Sequence, residues 1–428
     1  MLQAEYKAFY KQLSRCIDRK RIITDPLRLF AYGTDASFYR LLPKIIVKAA
    51  NTSDIQNILA AARRFNIPVT FRAAGTALSG QSATDSVLVI TGKEWEGISI
   101  SPDGMSVEVQ PGIIGARINQ LLKPYGRKLG PDPASVRSAM IGGIVANNAS
   151  GMNGTNENSY KTISSIRIVL ADGTVLDTGD EASRQQFRST HPQFLERLEE
   201  IRRRVADNPK LADRIRKKYS IKNTTGLGLN SLVDYTNPFD VITHLMVGSE
   251  GTLAFIDLIR LNTLEAMPCK ASAMLYFNSI RTACEAVQRL KGSPAGSIEL
   301  LDRLALRSIE NMDGIPAFIR QLPEDGTALL VETTARTEEQ LRQNIDQINA
   351  IIDPSQLAAP IQFTSKPEEY SKYWSIRSGV FPSVGAMRRP GTSCLIEDVV
   401  FPMDKLPDAT VDLQHMIADY GYEDGVIY

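Results

Sequence analysis

The spacing of apolar positions changes several times along the chain, and each change predicts an element. Up to about residue 40 the pattern reads as a helical lead-in, which Tyr32-Gly33-Thr34-Asp35-Ala36-Ser37 leaves. Ile45-Ile46-Val47 reads as a strand. Ser53 is the expected cap of a helix that sets Ile55, Ile58, Leu59, Ala62 and Phe65 at helical spacing and ends before Pro68. Pro68-Val69-Thr70-Phe71 is the next strand. This β-α-β unit delivers whatever follows it at a strand's C-terminal end, where open α/β sheets bind ligands. Further strands are predicted over Val87 to Ile90, Ile98 to Ile100 and Val107 to Gln110. A helix after Pro111-Gly112 carries Ile118, Leu121 and Leu122. A hairpin joins Ile166 to Leu170 with Thr174 to Leu176 through Asp172-Gly173, the strongest short hairpin signal. Residues 182–218 are charged and helical, and Lys222 to Asn230 is a polar loop. Val241 to Val247 and Leu253 to Leu261 read as strands flanking a glycine turn.

Beyond residue 265 the pattern alters. Ala273 to Phe277 is a strand, Ser279 caps a helix with Ala283, Ala286, Val287 and Leu290, and Ser297 to Asp302 and Ala328 to Glu332 supply more strands. Helices on one face of an antiparallel sheet are expected. The chain therefore divides into a lead-in (1–40), a first body (41–265, in two α+β parts of about 41–110 and 111–265) and a second α+β body (266–428). Gly421 to Tyr428 reads as a strand just beginning.

Three glycine-rich stretches carry the candidate chemistry. The first, Arg72-Ala73-Ala74-Gly75-Thr76-Ala77-Leu78-Ser79-Gly80-Gln81-Ser82, starts where a strand ends. Gly75 and Gly80 allow close backbone approach, and Thr76, Ser79 and Ser82 add hydroxyls, which is the chemistry of an anion cradle. Its GxxxxG spacing matches a Walker loop, but Gln81 stands where the lysine is needed. Gly226-Leu227-Gly228-Leu229-Asn230-Ser231 approaches a dinucleotide turn, yet it lacks the third glycine and follows no apolar strand. The second stretch is Gly130-Pro131-Asp132-Pro133-Ala134-Ser135 with Ile141-Gly142-Gly143-Ile144-Val145-Ala146-Asn147-Asn148-Ala149-Ser150-Gly151. Such a run of small residues sacrifices side-chain burial and suits the approach of something flat and bulky. The third is Val247-Gly248-Ser249-Glu250-Gly251-Thr252-Leu253.

Together, and in this order, the three stretches resemble the flavoproteins whose FAD domain is shared by vanillyl-alcohol oxidase, p-cresol methylhydroxylase and the bacterial D-lactate, glycolate and D-2-hydroxyglutarate dehydrogenases. The resemblance covers roughly residues 20–428. It implies an α+β fold: a two-subdomain FAD-binding domain followed by a substrate (cap) domain with an antiparallel sheet, incomplete at its C-terminus. It assigns FAD to Arg72, Ala73, Ala74, Gly75, Thr76, Ser79, Gly80, Gln81 and Ser82; to Pro131, Asp132, Pro133, Ser135, Ile141, Gly142, Gly143, Ala146, Asn147, Asn148, Ser150 and Gly151; and to Gly248, Glu250, Gly251 and Thr252. Members that bind FAD covalently use a His of the first loop, which this chain lacks, so noncovalent FAD is expected. The activity implied is oxidation of a D-2-hydroxy acid, of the D-lactate, glycolate or D-2-hydroxyglutarate type. Electrons would pass to a quinone, cytochrome or iron-sulfur protein. Alternatives on the same fold are an FAD oxidase, a UDP-sugar reductase or a non-catalytic FAD subunit. The family's two-histidine motif does not occur before Tyr428. The expectation is therefore an N-terminal part of a longer protein, with iron-sulfur clusters and any divalent metal in the remainder.

Arg377 is the candidate for gripping a substrate carboxylate, since the family has an arginine at the matching place; a surface ion pair is the alternative. Glu397, flanked by apolar residues, reads as a base, a metal ligand or a structurally paired carboxylate. Some 2-hydroxy-acid members carry a lysine there, which leaves the substrate class open. Arg388-Arg389 is either a second anion site or a solvated loop. His244 reads as core, while His191 and His415 lie in surface helices.

Composition narrows the partners. With 49 basic and 48 acidic residues the net charge is +1, so no overall field draws in nucleic acid. Arg202-Arg203-Arg204 and the basic run from Arg214 to Lys218 read as solvated helix faces. No apolar run approaches the roughly 20 residues of a membrane span, so contact with a membrane would be peripheral. Cys16, Cys269, Cys284 and Cys394 form no CxxC pair and suit a reducing compartment. The expected location is the cytoplasm or the inner face of its membrane, and a homodimer is compatible with all of this.

Overall fold

The computed structural model describes residues 3–151, 157–311, 315–393, 399–422 and 425–427. They form two compact units, Met1–Ala266 and Met267–Tyr428.

The first unit contains two sheets. Strands β1 (Ile22–Ile23), β2 (Ile45–Ala49), β3 (Val69–Arg72) and β4 (Val87–Thr91) lie in the order β1-β2-β4-β3, with β2, β4 and β3 parallel. Both faces of β2 and β4 are buried: Ile45, Val47, Val87 and Val89 pack with the helices Ala4–Leu13 and Thr52–Phe65, while Ile46 and Leu88 meet Ile23 on the other side. That explains the uninterrupted apolar runs. The cap of Thr52–Phe65 is Asn51, not Ser53. Asn51 has the extended backbone a cap requires, and its side chain accepts from the Asp54 N–H at 2.9 Å, whereas Ser53 is already helical.

The second sheet is antiparallel. It uses β5 (Ile98–Ile100), β6 (Ser106–Val109), β8 (Ile163–Leu170), β9 (Val175–Asp177) and β10 (Ala254–Asn262) in the order β5-β6-β10-β8-β9; β7 (Arg127–Lys128) and β11 (Leu264–Glu265) pair separately. The expected strand at Val241 to Val247 is instead part of the helix Pro238–Met246. Asn237 caps it, accepting from the Phe239 N–H, and Pro238 occupies its first turn. Six of its nine residues are buried, the polar Thr243 and His244 among them, so the apolar positions alone do not trace the buried face.

A bulge in β10 at Asp257 ties the two sheets together. The Asp257 side chain is fully buried, ion-paired to Arg167 of β8, and accepts from Thr52 Oγ1 at 2.9 Å. Thr52 opens the helix that covers the first sheet.

In the second unit, β12 (Cys269–Phe277), β13 (Ser297–Leu301) and β14 (Thr327–Ala335) form an antiparallel sheet with β14 central. Helices cover both of its faces rather than one. Ala273, Leu275, Leu329 and Val331 pack with Ile280–Leu290 and Glu338–Ile351, while Met274, Tyr276, Ala328 and Leu330 pack with Arg303–Ile309 and Pro367–Met387. Alternate positions are apolar in both registers, which only a two-sided sheet needs. Residues 425–427 are not in a strand; Ile427 exchanges backbone contacts with Asp302, its N–H donating to the carboxylate at 2.7 Å.

Arg167→Ala would leave the Asp257 carboxylate buried without its counter-ion. The expected loss of stability is about 3 kcal/mol, the low end for a broken buried pair because Arg167 is 33% exposed. Urea unfolding measures it.

Candidate functional site

All three glycine stretches belong to the first unit, and the structure brings them together. The first loop is fastened from beneath. Arg72, at the end of β3, donates through Nε and Nη2 to the Ser82 carbonyl (3.0 and 2.7 Å) and through Nη1 to the carbonyls of Tyr32 (2.9 Å) and Thr34 (3.2 Å). Burial pulls its guanidinium below the ordinary range, against the pull of Asp35. Arg72 thus closes the loop's two ends on carbonyl oxygens rather than presenting its charge outward. Asp35 completes the fastening by accepting from Ser82 Oγ (2.7 Å) and from the Ser37 N–H (2.9 Å). Burial opposes the ionised form of Asp35, but these donors hold its carboxyl below the usual value. The sequence reading passed over Asp35; its Asp-x-Ser turn was the available signal. Ala74 and Ser79 are exposed and Thr76 is half-buried on this loop.

In the second stretch Pro131 is buried, the Pro133 carbonyl accepts from Val136, and Ser135 accepts from Ala139. The Asp132 N–H donates to the Ser150 carbonyl at 3.1 Å, which folds the two ends of the stretch onto each other. Ile141 opens a helix, Ile141–Asn147, and Asn148 ends it in the left-handed region with φ 58°. Asn148 is held by Tyr160 and by the Asn223 carbonyl.

The third loop docks on this helix. The Gly248 N–H donates to the Val145 carbonyl (3.3 Å) and the Glu250 N–H to that of Ala146 (2.9 Å), while Thr252 closes its own turn on Ser249. Glu250 and Gly251 both have positive φ, 51° and 71°. The Glu250 carboxylate accepts from Asn147 Nδ2 at 2.8 Å and from Gln81 Nε2 at 3.5 Å, so one side chain touches all three stretches. Burial raises its pKa, with those two donors acting against the rise.

Two observations fit the flavin nucleotide that the resemblance implies. Each stretch contributes one buried polar atom with no hydrogen-bond partner among the described residues: Gln81 Oε1, Ser150 Oγ and Ser249 Oγ. Such atoms are costly to bury unpaired and call for a polar ligand. The glycines also differ in kind. A Cβ on Gly142 would strike Pro111 at 2.6 Å, and one on Gly151 would overlap the Asp132 carbonyl, so the fold itself requires both. A Cβ on Gly143 would meet only Ala73, at an ordinary 3.5 Å, and its φ is not positive. The fold does not demand that glycine; a ligand lying against it would. The three stretches would hold the nucleotide through backbone N–H groups, hydroxyls and side-chain amides.

The catalytic candidates lie in the second unit. Arg377, on the helix Pro367–Met387, donates through Nε and Nη2 to Glu299 Oε2 of β13, at 3.1 and 3.0 Å. Glu299 was not singled out from sequence. Glu397 lies outside the described residues. Arg388 turns back on the carbonyls of Thr392 and Gly385. His244 is satisfied in the core, bonded to the Asp240 carbonyl and to Tyr235 Oη (2.8 and 2.9 Å), and burial lowers its pKa. Among the described residues no His, Cys, Asp or Glu cluster is arranged to hold a metal ion.

Two outcomes test the cradle. Gly143→Ala should stabilise the cofactor-free protein by about 0.5–1 kcal/mol, as Gly→Ala does inside a helix, yet weaken FAD binding at least about tenfold. Opposite signs in urea unfolding and in an FAD fluorescence titration are the expected result. For Glu250 the folded pKa lies above the unfolded one. Its contribution is full below the unfolded value and is lost as pH rises through the folded value. Glu250→Gln should therefore flatten the fall in cofactor-free stability between the acidic carboxylate range and neutrality.

Comparison with known proteins gives the same division. The family profile for the FAD binding domain matches residues 43–179, and that for the C-terminal domain of FAD linked oxidases matches residues 267–427. Glycolate oxidase subunit GlcD of Escherichia coli (strain K12) is 25% identical over 390 residues, covering 90% of this chain and 66% of the relative. D-2-hydroxyglutarate dehydrogenase of the same strain is 28% identical over 289 residues, 64% of this chain and 28% of the relative. The mitochondrial D-lactate dehydrogenase [cytochrome] of Arabidopsis thaliana is 23% identical over 423 residues, 95% of this chain and 63% of the relative. The chain thus spans about two thirds of two of these relatives and far less of the third. Substrate-bound p-cresol methylhydroxylase shares the fold at a TM-score of 0.61 and 11% identity, over 89% of this chain and 70% of its own. Alkyldihydroxyacetonephosphate synthase does so at 0.61 and 15%, over 89% and 64%. With a matching profile on each unit, the chain belongs to the FAD linked oxidases and has the p-cresol methylhydroxylase type of fold.

Proposed function

We propose that this protein is a dehydrogenase that oxidises a D-2-hydroxy acid, of the D-lactate, glycolate or D-2-hydroxyglutarate type, to the 2-oxo acid and passes the electrons to an acceptor other than NAD. The observation that carries this reading is the cradle joined at Glu250, on a chain whose aligned relatives are named for 2-hydroxy acids. Bound noncovalently, FAD supplies the acceptor for the hydride on the carbon bearing the hydroxyl.

The chain's own residues supply the rest. Arg377 would hold the substrate carboxylate by charge-assisted hydrogen bonds, fixing which face of the carbon is presented. A base must take the hydroxyl proton, and Glu397 is the candidate within this chain. The acceptor would be a quinone, a cytochrome or an iron-sulfur protein. No helix among the described residues is long and apolar enough to cross a membrane. We place the protein in the cytoplasm or at the inner membrane face, with a homodimer compatible.

Anaerobic mixing with D-lactate, glycolate or D-2-hydroxyglutarate should bleach the flavin absorbance, while L-lactate should not. A flavin bleached by NADPH alone would favour the UDP-sugar reductase reading, and one inert to all of these a non-catalytic subunit. Arg377→Met should lower kcat/KM for the hydroxy acid by about a hundredfold, the loss of one charge-assisted pair.

A further inference from the structure

The environment of Arg377 bears on which acid is used, and this inference rests on the function just proposed. Arg377 is gripped along one edge. Both Nε and Nη2 converge on a single oxygen of Glu299, and the two side chains are only 23% and 18% exposed. A guanidinium held on two nitrogens by a neighbouring strand is fixed in its plane, and its charge is already balanced.

The neighbouring row of the same sheet face repeats the pattern. Glu332 of β14 lies opposite Ser272 and Ser297, one row along from Glu299. It is buried and pairs with Lys270 Nζ at 3.0 Å while accepting from Ser272 Oγ at 3.2 Å. Ser272 Oγ in turn accepts from Trp374 Nε1 at 3.2 Å, one helical turn before Arg377. Among the described residues this sheet face thus pairs two cations, Lys270 and Arg377, with two carboxylates, Glu332 and Glu299.

A monoanionic substrate can bond to the oriented guanidinium, giving a site with one net negative charge. A dicarboxylate brings a second negative charge to a face where, among the described residues, Lys270 and Arg377 are each already paired, against Glu299 and Glu332 in a partly desolvated setting where charge repulsion is strong. We propose that the second unit selects monocarboxylate 2-hydroxy acids of the glycolate and D-lactate kind over dicarboxylates such as D-2-hydroxyglutarate. Glu299 is the residue that positions Arg377 and sets this selectivity.

The test is the ratio of kcat/KM for D-lactate to that for D-2-hydroxyglutarate, measured on the FAD-loaded protein by anaerobic flavin reduction. The parent protein should favour D-lactate at least about tenfold, or ~1.4 kcal/mol. Glu299→Gln keeps an acceptor for Arg377 but removes the charge. It should cut the ratio about tenfold, chiefly by lowering KM for the diacid. Glu299→Asp keeps the charge at shorter reach and should preserve the ratio while raising KM for both acids. A parent protein that prefers the diacid overturns the inference and leaves the proposed function standing. A Glu299→Gln variant that slows both acids equally, with FAD content and melting unchanged, assigns Glu299 a merely structural role and overturns it too. Flavin that no 2-hydroxy acid bleaches overturns the proposed function and this inference together. Should Glu299→Gln fail to fold, the parent ratio and Glu299→Asp still decide.

Discussion

The two hydrogen bonds that Glu250 accepts bring together segments 103 and 169 residues apart in the sequence. Nothing local obliges a buried carboxylate to sit in a left-handed turn; both its backbone angle and its desolvation are unfavourable on their own. The arrangement persists because the Glu250 N–H is simultaneously bonded to the Ala146 carbonyl, so the turn and the neighbouring helix fix each other. With that contact in place, the Asn147 and Gln81 amides both donate to the Glu250 carboxylate, and the three stretches meet at one side chain.

How much of this could be read beforehand depends on whether the determinant was local. The glycine stretches announced themselves because small residues at that density have few other uses. Their separate roles did not: Gly142 and Gly151 answer to Pro111 and Asp132, partners that only folding reveals, while Gly143 answers to nothing in the chain. The helix at Pro238–Met246 was hidden because burial on nearly every side erases helical periodicity, although Asn237-Pro238 was a legible start. Arg72 was assigned to FAD with the rest of its loop, and the fastening its side chain makes, to carbonyls 10, 38 and 40 residues away, left no trace in the sequence. Arg377 was singled out, but its partner Glu299, 78 residues upstream, was not, since ion-pair partners leave no periodic trace.

The two units treat charge differently. In the first, the cation of the glycine loop is turned inward as a fastener on carbonyl oxygens, so that an anion bound there would meet backbone N–H groups and hydroxyls, which impose direction rather than attraction at a distance. In the second, cations sit on a sheet face but are matched by carboxylates of the same face. Both devices give geometry precedence over net potential, in keeping with a chain whose charges nearly cancel.

The bond between Thr52 and Asp257 also has a bearing on the order of events at the ribosome. Its partners are 205 residues apart, so the cover helix of the first sheet is made long before the strand that secures it. At roughly 5–20 residues per second, that interval is on the order of ten to forty seconds. Within it, β2, β3 and β4 can assemble their parallel ladder, and β8, once made, carries the Arg167 charge without its counter-ion and lacks its neighbour β10. The first unit therefore closes late: β6 and β8, which flank β10 in the second sheet, stay unpaired along those edges until β10 is made.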